Sequence, residues 1–145
     1  MRDGRLSSCQ KRFADRWYHT NGVSPAFCFG HGLSFTSWGY SALEATRTRV
    51  SFIVRNTGEV GGSEVVQLYL TFPPSAHEPP RQLKGFKKVT LEPAQSATVT
   101  LPLSPRDFSI WDERRHAWAV APGTFELAVG ASSCDLRVKA SVVVE

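Results

Sequence analysis

At 145 residues the chain suits one domain with a buried core, and its 41% hydrophobic and 21% charged content is that of an ordinary globular protein. The net charge of +4 is uneven: residues 1–20 carry five bases and two acids, and the rest of the chain sets twelve bases against eleven acids. A nearly neutral body excludes a nucleic-acid binder, which needs a basic face, and no apolar run approaches the roughly 20 residues of a membrane helix.

Residues 1–16 hold most of the excess charge and read as a basic, flexible tail. They lack the apolar stretch of a signal peptide, so none is expected, and the compartment stays open. Cys9, Cys28 and Cys134 are odd in number and widely spaced, so a disulfide framework is not expected. Residues 17–45 read as an extended linker. Within it, "FCFGHGLSFTSW" (27–38) packs four aromatics, two glycines, a cysteine and a histidine into a stretch that is neither strand nor helix. The glycines let the backbone turn closely, and Phe27, Phe29, Phe35 and Trp38 are suited to clamp onto apolar surface. The segment reads as a strap between two bodies.

From residue 46 the text alternates with period two. In "TRTRVSFIVRN", Thr48, Val50, Phe52 and Val54 share one face, which predicts a half-buried strand. The turn "NTGEVGG" follows, and "EVVQLYLTF" sets Val66, Leu68, Leu70 and Phe72 against Val65, Gln67, Tyr69 and Thr71. "PPSAHEPP" (73–80) has four prolines, which remove donors and fix φ, so a protruding loop without strand or helix is expected. "RQLKGFKKVTL" resumes as a strand with Gly85 marking a bulge. "ATVTLPL" carries Pro102, the sign of an edge. "DFSIW" and "HAWAV" flank "DERR" as a hairpin. "TFELAVG" points Phe125, Leu127 and Val129 inward, and "DLRVKASVV" does the same with Leu136, Val138, Ala140 and Val142.

Seven or eight short strands with regular turns and no amphipathic helix predict an all-β fold, an antiparallel sandwich of immunoglobulin-like type over residues 46–145. Parallel βαβ units are excluded, because no crossover helix is available.

The candidate chemistry is sparse. Asp112 and Glu113 sit beside Arg114 and Arg115 and read as solvated turn residues, not as the carboxylate pair, about 5–10 Å apart, of a glycosidase. Cys28 and His31 have C-x-x-H spacing, but zinc needs three or four ligands and no second cluster exists. The two therefore read as a packed thiol and a structural histidine, and no metal is expected. Gly30-x-Gly32 lacks the third glycine and the strand–turn–helix context of a nucleotide loop, so no cofactor is expected. Trp111 and Trp118 are suited either to stack on a sugar or to pack their own hairpin. His77 and Glu78, on the proline loop, read either as a reach toward a neighbouring domain's active site or, as is commoner for such loops, as part of a merely mobile loop.

Three stretches in order, "GGSEVVQLYLTFP", "RQLKGFKKVTLEPAQSATVTLPL" and "WAVAPGTFELAVGASSCDLR", together closely resemble the fibronectin type III-like domain at the C-terminus of family 3 glycoside hydrolases, the β-glucosidases and β-xylosidases. The strap fits too. That family typically reads Phe-Pro-Phe-Gly-Tyr/His-Gly-Leu-Ser-Tyr-Thr where this chain has Phe27 to Thr36, with Cys28 for proline and Phe35 for tyrosine. The resemblance covers about residues 17–143. It implies a fibronectin type III-like sandwich of about seven strands that stabilises or positions catalytic domains, in the same or a separate chain. The family's nucleophilic aspartate and acid/base glutamate lie upstream on other domains, so the resemblance implies no catalytic residue here. It makes Phe27, Phe29, His31, Phe35 and Trp38 a candidate interdomain contact, with His77 and Glu78 as a second. A free-standing carbohydrate-binding module taking polysaccharide and a structural immunoglobulin-like interaction domain are the alternatives.

Overall fold

The computed structural model describes residues 24–79 and 81–145; the basic segment 1–16 lies outside them. Nine strands follow in chain order: β1 Trp38–Ala45, β2 Arg49–Asn56, β3 Gly62–Thr71, β4 Gln82–Leu91, β5 Ser96–Pro102, β6 Ser109–Asp112, β7 Ala117–Val120, β8 Gly123–Gly130 and β9 Leu136–Val144. β1-β2-β5 form one sheet, β4-β3-β8-β9 the other, and β6-β7 a separate hairpin, all antiparallel. The two sheets adjoin along β4 and β5 at one border and β1 and β9 at the other. This is the expected sandwich. Among the described residues no helix is long and apolar enough to cross a membrane.

The core lies between the sheets and follows the period-two faces. Val50, Phe52 and Val54 of β2 meet Val66, Leu68 and Leu70 of β3 and Phe125, Leu127 and Val129 of β8, all fully buried. Phe125 is central: Phe72 and Phe108 meet its ring edge-on, at centroid distances of 5.1 and 5.0 Å. Such pairs add about 0.5–1.5 kcal/mol beyond the area they bury.

Two expectations need correction. The sandwich begins at Trp38, one strand before residue 46. β1 escapes a period-two reading because it is bulged: its register with β2 slips between Ser41 and Glu44, and Ala42 has φ +52°. Trp38 and Tyr40 face the core before the slip and Leu43 and Ala45 after it, so the apolar face changes phase mid-strand. The proline loop also contains one 3-10 turn, Pro74–Ala76, closed by His77 in the left-handed region. Pro74 starts that turn, where its missing N–H costs nothing. The expected bulge on β4 is present, with Lys84 the extra residue beside Gly85, and β5 is an edge strand as Pro102 suggests.

Candidate interdomain surface

The strap crosses the outer face of the four-stranded sheet. Its first turn runs from Cys28 to His31, closed by the His31 N–H donating to the Cys28 carbonyl at 3.0 Å. Gly30 takes φ +76° at the third position of that turn, and a side chain there would collide with the Gln67 amide, so glycine is required twice over. Gln67 is the anchor on the sheet. Its Nε2 donates to the carbonyls of Gly30 at 3.0 Å and Ala131 at 2.6 Å, and its Oε1 accepts from the Tyr69 hydroxyl at 2.6 Å. Both residues lie on the face of β3 that points away from the core, yet Gln67 is only 4% exposed and Tyr69 is equally buried. That burial pushes the Tyr69 phenol up to about 12.

The turn between β8 and β9 joins this layer. The Ser133 N–H donates to the Phe29 carbonyl at 3.0 Å, and Arg81 donates to the Ser133 carbonyl at 2.6 Å. Cys28 and Cys134 are joined by a disulfide with a Cα separation of 5.9 Å. This corrects the expectation of a packed thiol: 106 positions separate the two cysteines in sequence, and only the crossing of strap over turn brings them together. It also removes Cys28 from any metal reading with His31. Among the described residues no cluster of three or more His, Cys, Asp or Glu residues could hold a metal.

The exit of the strap is fixed as firmly. Thr36 donates to the Asn56 Oδ1 at 2.6 Å, which also accepts from the Gly58 N–H at 3.0 Å. The Asn56 amide, fully buried, donates to the carbonyls of Val60 and Leu91. Trp38 donates from its indole to Ser34 at 3.2 Å. Arg137 closes the seam with β9, donating to the Trp38 carbonyl at 2.6 Å and gripping both oxygens of Asp135. That grip holds the Asp135 carboxyl below its ordinary range.

The aromatics predicted for this surface divide. Trp38 is 6% exposed and belongs to this domain's own core, so it drops out of the interdomain set. Its place at the start of a strand, with its ring facing inward, decides this. Phe27, Phe29 and Phe35 are 76%, 52% and 101% exposed, on a backbone held at both ends. His31 stacks on Phe27 at 5.7 Å. Leu33 is exposed among them, and so is Phe86, which pairs with Gln67 across β3 and β4; neither Leu33 nor Phe86 was singled out from the sequence. The second predicted contact is separate: Glu78 accepts from Gln82 at 2.9 Å, while His77 stays exposed. Trp111 and Trp118 meet edge-to-face at 5.6 Å on the hairpin, with the Arg106 guanidinium 3.3 Å above Trp118. Asp112 accepts from the N–H groups of Arg114 and Arg115, as a turn residue does.

Residues 64–133 match the fibronectin type III-like domain family. The chain contains a fibronectin type III-like domain. It is 40% identical over 154 aligned residues to a probable β-glucosidase D of Emericella nidulans, covering 90% of this chain and 19% of that protein. The crystal structure of a β-D-glucoside glucohydrolase from Trichoderma reesei superposes with a TM-score of 0.88 at 33% identity, covering 99% of this chain and 24% of that one. A GH3 β-glucosidase of Bifidobacterium adolescentis gives 0.84 at 33% identity, over 90% of this chain and 20% of its own. The chain thus spans about a fifth of the length of the β-glucosidases it matches.

Proposed function

We propose that this domain is the C-terminal accessory module of a family 3 β-glucosidase, and that the strap docks it onto the catalytic domains. The observation that carries the reading is the exposure of Phe27, Phe29 and Phe35 on a segment pinned by a disulfide and by Gln67. A flexible segment would bury such rings against its own body. A pinned one presents them, and burying each against a partner is worth roughly 1.5–3 kcal/mol. In this reading the module's described residues do not serve as acid, base or nucleophile. Its contribution is to hold and position the domains that do.

The test is a chimera in which this chain replaces the matching fifth of the Emericella nidulans relative. The chimera should keep the melting temperature of that enzyme, and serine at Phe27, Phe29 and Phe35 together should lower it. A chimera indifferent to the triple substitution would refute strap docking.

A second reading, carbohydrate binding, is favoured by the exposed Trp111 and Trp118. It ranks lower because the two rings form an edge-to-face pair, and Arg106 covers one face of Trp118. Affinity electrophoresis against soluble β-glucans separates the readings: retardation lost on Trp111→Ala would favour the binding module. The remaining alternative, a structural immunoglobulin-like interaction domain, predicts neither retardation nor a role in a glucosidase.

A further inference from the structure

We propose that Cys28–Cys134 is a thiol-exchange site, a reversible lock that decides whether the strap lies on the sheet. The disulfide joins the strap to a surface turn, not to the core. Cys134 is exposed and Cys28 only partly buried, so a dissolved thiol can reach the bond. Among the described residues, the buried hydrophobic cluster takes Trp38 from the end of the strap and nothing from residues 27–37. The described interior of the sandwich is therefore filled without residues 27–37. Without the bond, the first turn of the strap rests on two hydrogen bonds to the sheet layer, from the buried Gln67 amide to Gly30 and from the Ser133 N–H to Phe29.

The exchange balances with a dithiol as reductant. One thiolate of the dithiol attacks the sulfur of Cys134, the more exposed residue of the pair, forms a mixed disulfide and expels the Cys28 thiolate, which takes up a proton. The second thiolate of the dithiol attacks its own sulfur in the mixed disulfide, releasing Cys134 as a thiol. Two electrons pass to the protein, and the dithiol leaves as a cyclic disulfide. In the opened form Phe27 and Phe29 lose their fixed positions, and Gln67 and Tyr69 are uncovered. The consequence for domain docking rests on the proposed function above; the lock itself does not.

Hydrogen–deuterium exchange on the chain alone tests it, with no partner present, so failure of the docking reading leaves the result intact. The oxidised chain, the chain reduced with dithiothreitol under native conditions, and the Cys28→Ser/Cys134→Ser variant are compared. Opening should speed exchange at the amides of residues 28–34 by about tenfold or more, with β2, β3 and β8 unchanged. Three outcomes overturn the proposal: both cysteines titrating as free thiols before reduction, strap exchange unaltered by reduction, or joint loss of protection in the strap and those strands. The last would make the bond a staple of the whole fold.

Discussion

The side chain of Gln67 donates to the backbone carbonyl of Gly30, 37 positions earlier in the chain. That bond turns an outward-facing strand position into a buried one. The same Gln67 amide bonds Ala131, and its oxygen takes the Tyr69 hydroxyl. Removing Gln67 leaves two carbonyls and a phenol without their partner. Gln67→Leu should destabilise the domain by about 1–3 kcal/mol, read from urea midpoints at constant slope. A loss below a few tenths would show that water satisfies the site.

Trp38 and the other strap aromatics should behave oppositely. Trp38→Ala empties a core position and should cost about 3–5 kcal/mol. Phe29→Ser with Phe35→Ser touches exposed rings and should move the melting temperature of the isolated chain by no more than about 3 °C. Differential scanning calorimetry on both variants checks the contrast. Equal shifts would erase the distinction between core and docking surface.

Tyr69 predicts an alkaline response. Its folded pKa, about 12, lies above the ordinary value of 10.0. Folding favours the protonated phenol, so this contribution is whole below pH 10 and is lost as pH climbs toward 12. Tyr69→Phe should flatten the fall in stability across that window relative to the parent chain. Parallel curves would mean that the phenol titrates alike in both states.

The chain alone should not hydrolyse aryl β-glucosides. The relatives that bear the β-glucosidase name are about five times its length, and the carboxylates at 112 and 113 sit at the end of β6 and in the turn that follows it. Nitrophenol release above a buffer blank, with contaminating enzyme excluded, would contradict this.

The sandwich was readable because the inward apolar residues of β2, β3, β8 and β9 recur at every second position, as a half-buried strand requires, although β3 and β8 are buried on both faces in their later halves. β1 was not readable, because its bulge shifts the inward positions by one and cancels the pattern. Gln67 and Tyr69 read as solvent-facing on β3, since nothing in period two announces that a distant segment will cover them. Their polar groups were the available hint: a glutamine and a tyrosine two apart in a strand are suited to bond a crossing backbone. The disulfide was hidden for a related reason. Pairing follows position in space, and Cys28 meets Cys134 only after the strap has crossed the sheet. Phe27, Phe29 and Phe35 could be named from the sequence because an aromatic cluster outside any alternating run has no face of its own to fill.

The interruptions at the rims of the two sheets have a consequence for crowding. The open sheets end in β1, β5, β4 and β9. β1, β4 and β9 each carry a bulge, β5 ends in Pro102, and Lys84, Lys87 and Lys88 line β4. A smooth rim would offer a row of free N–H and C=O groups to the next copy of the chain. A kinked, proline-tipped or charged one spoils the match. On all four of these rims the fold discourages chain-to-chain zippering, so molecules at high concentration are steered away from fibrous association.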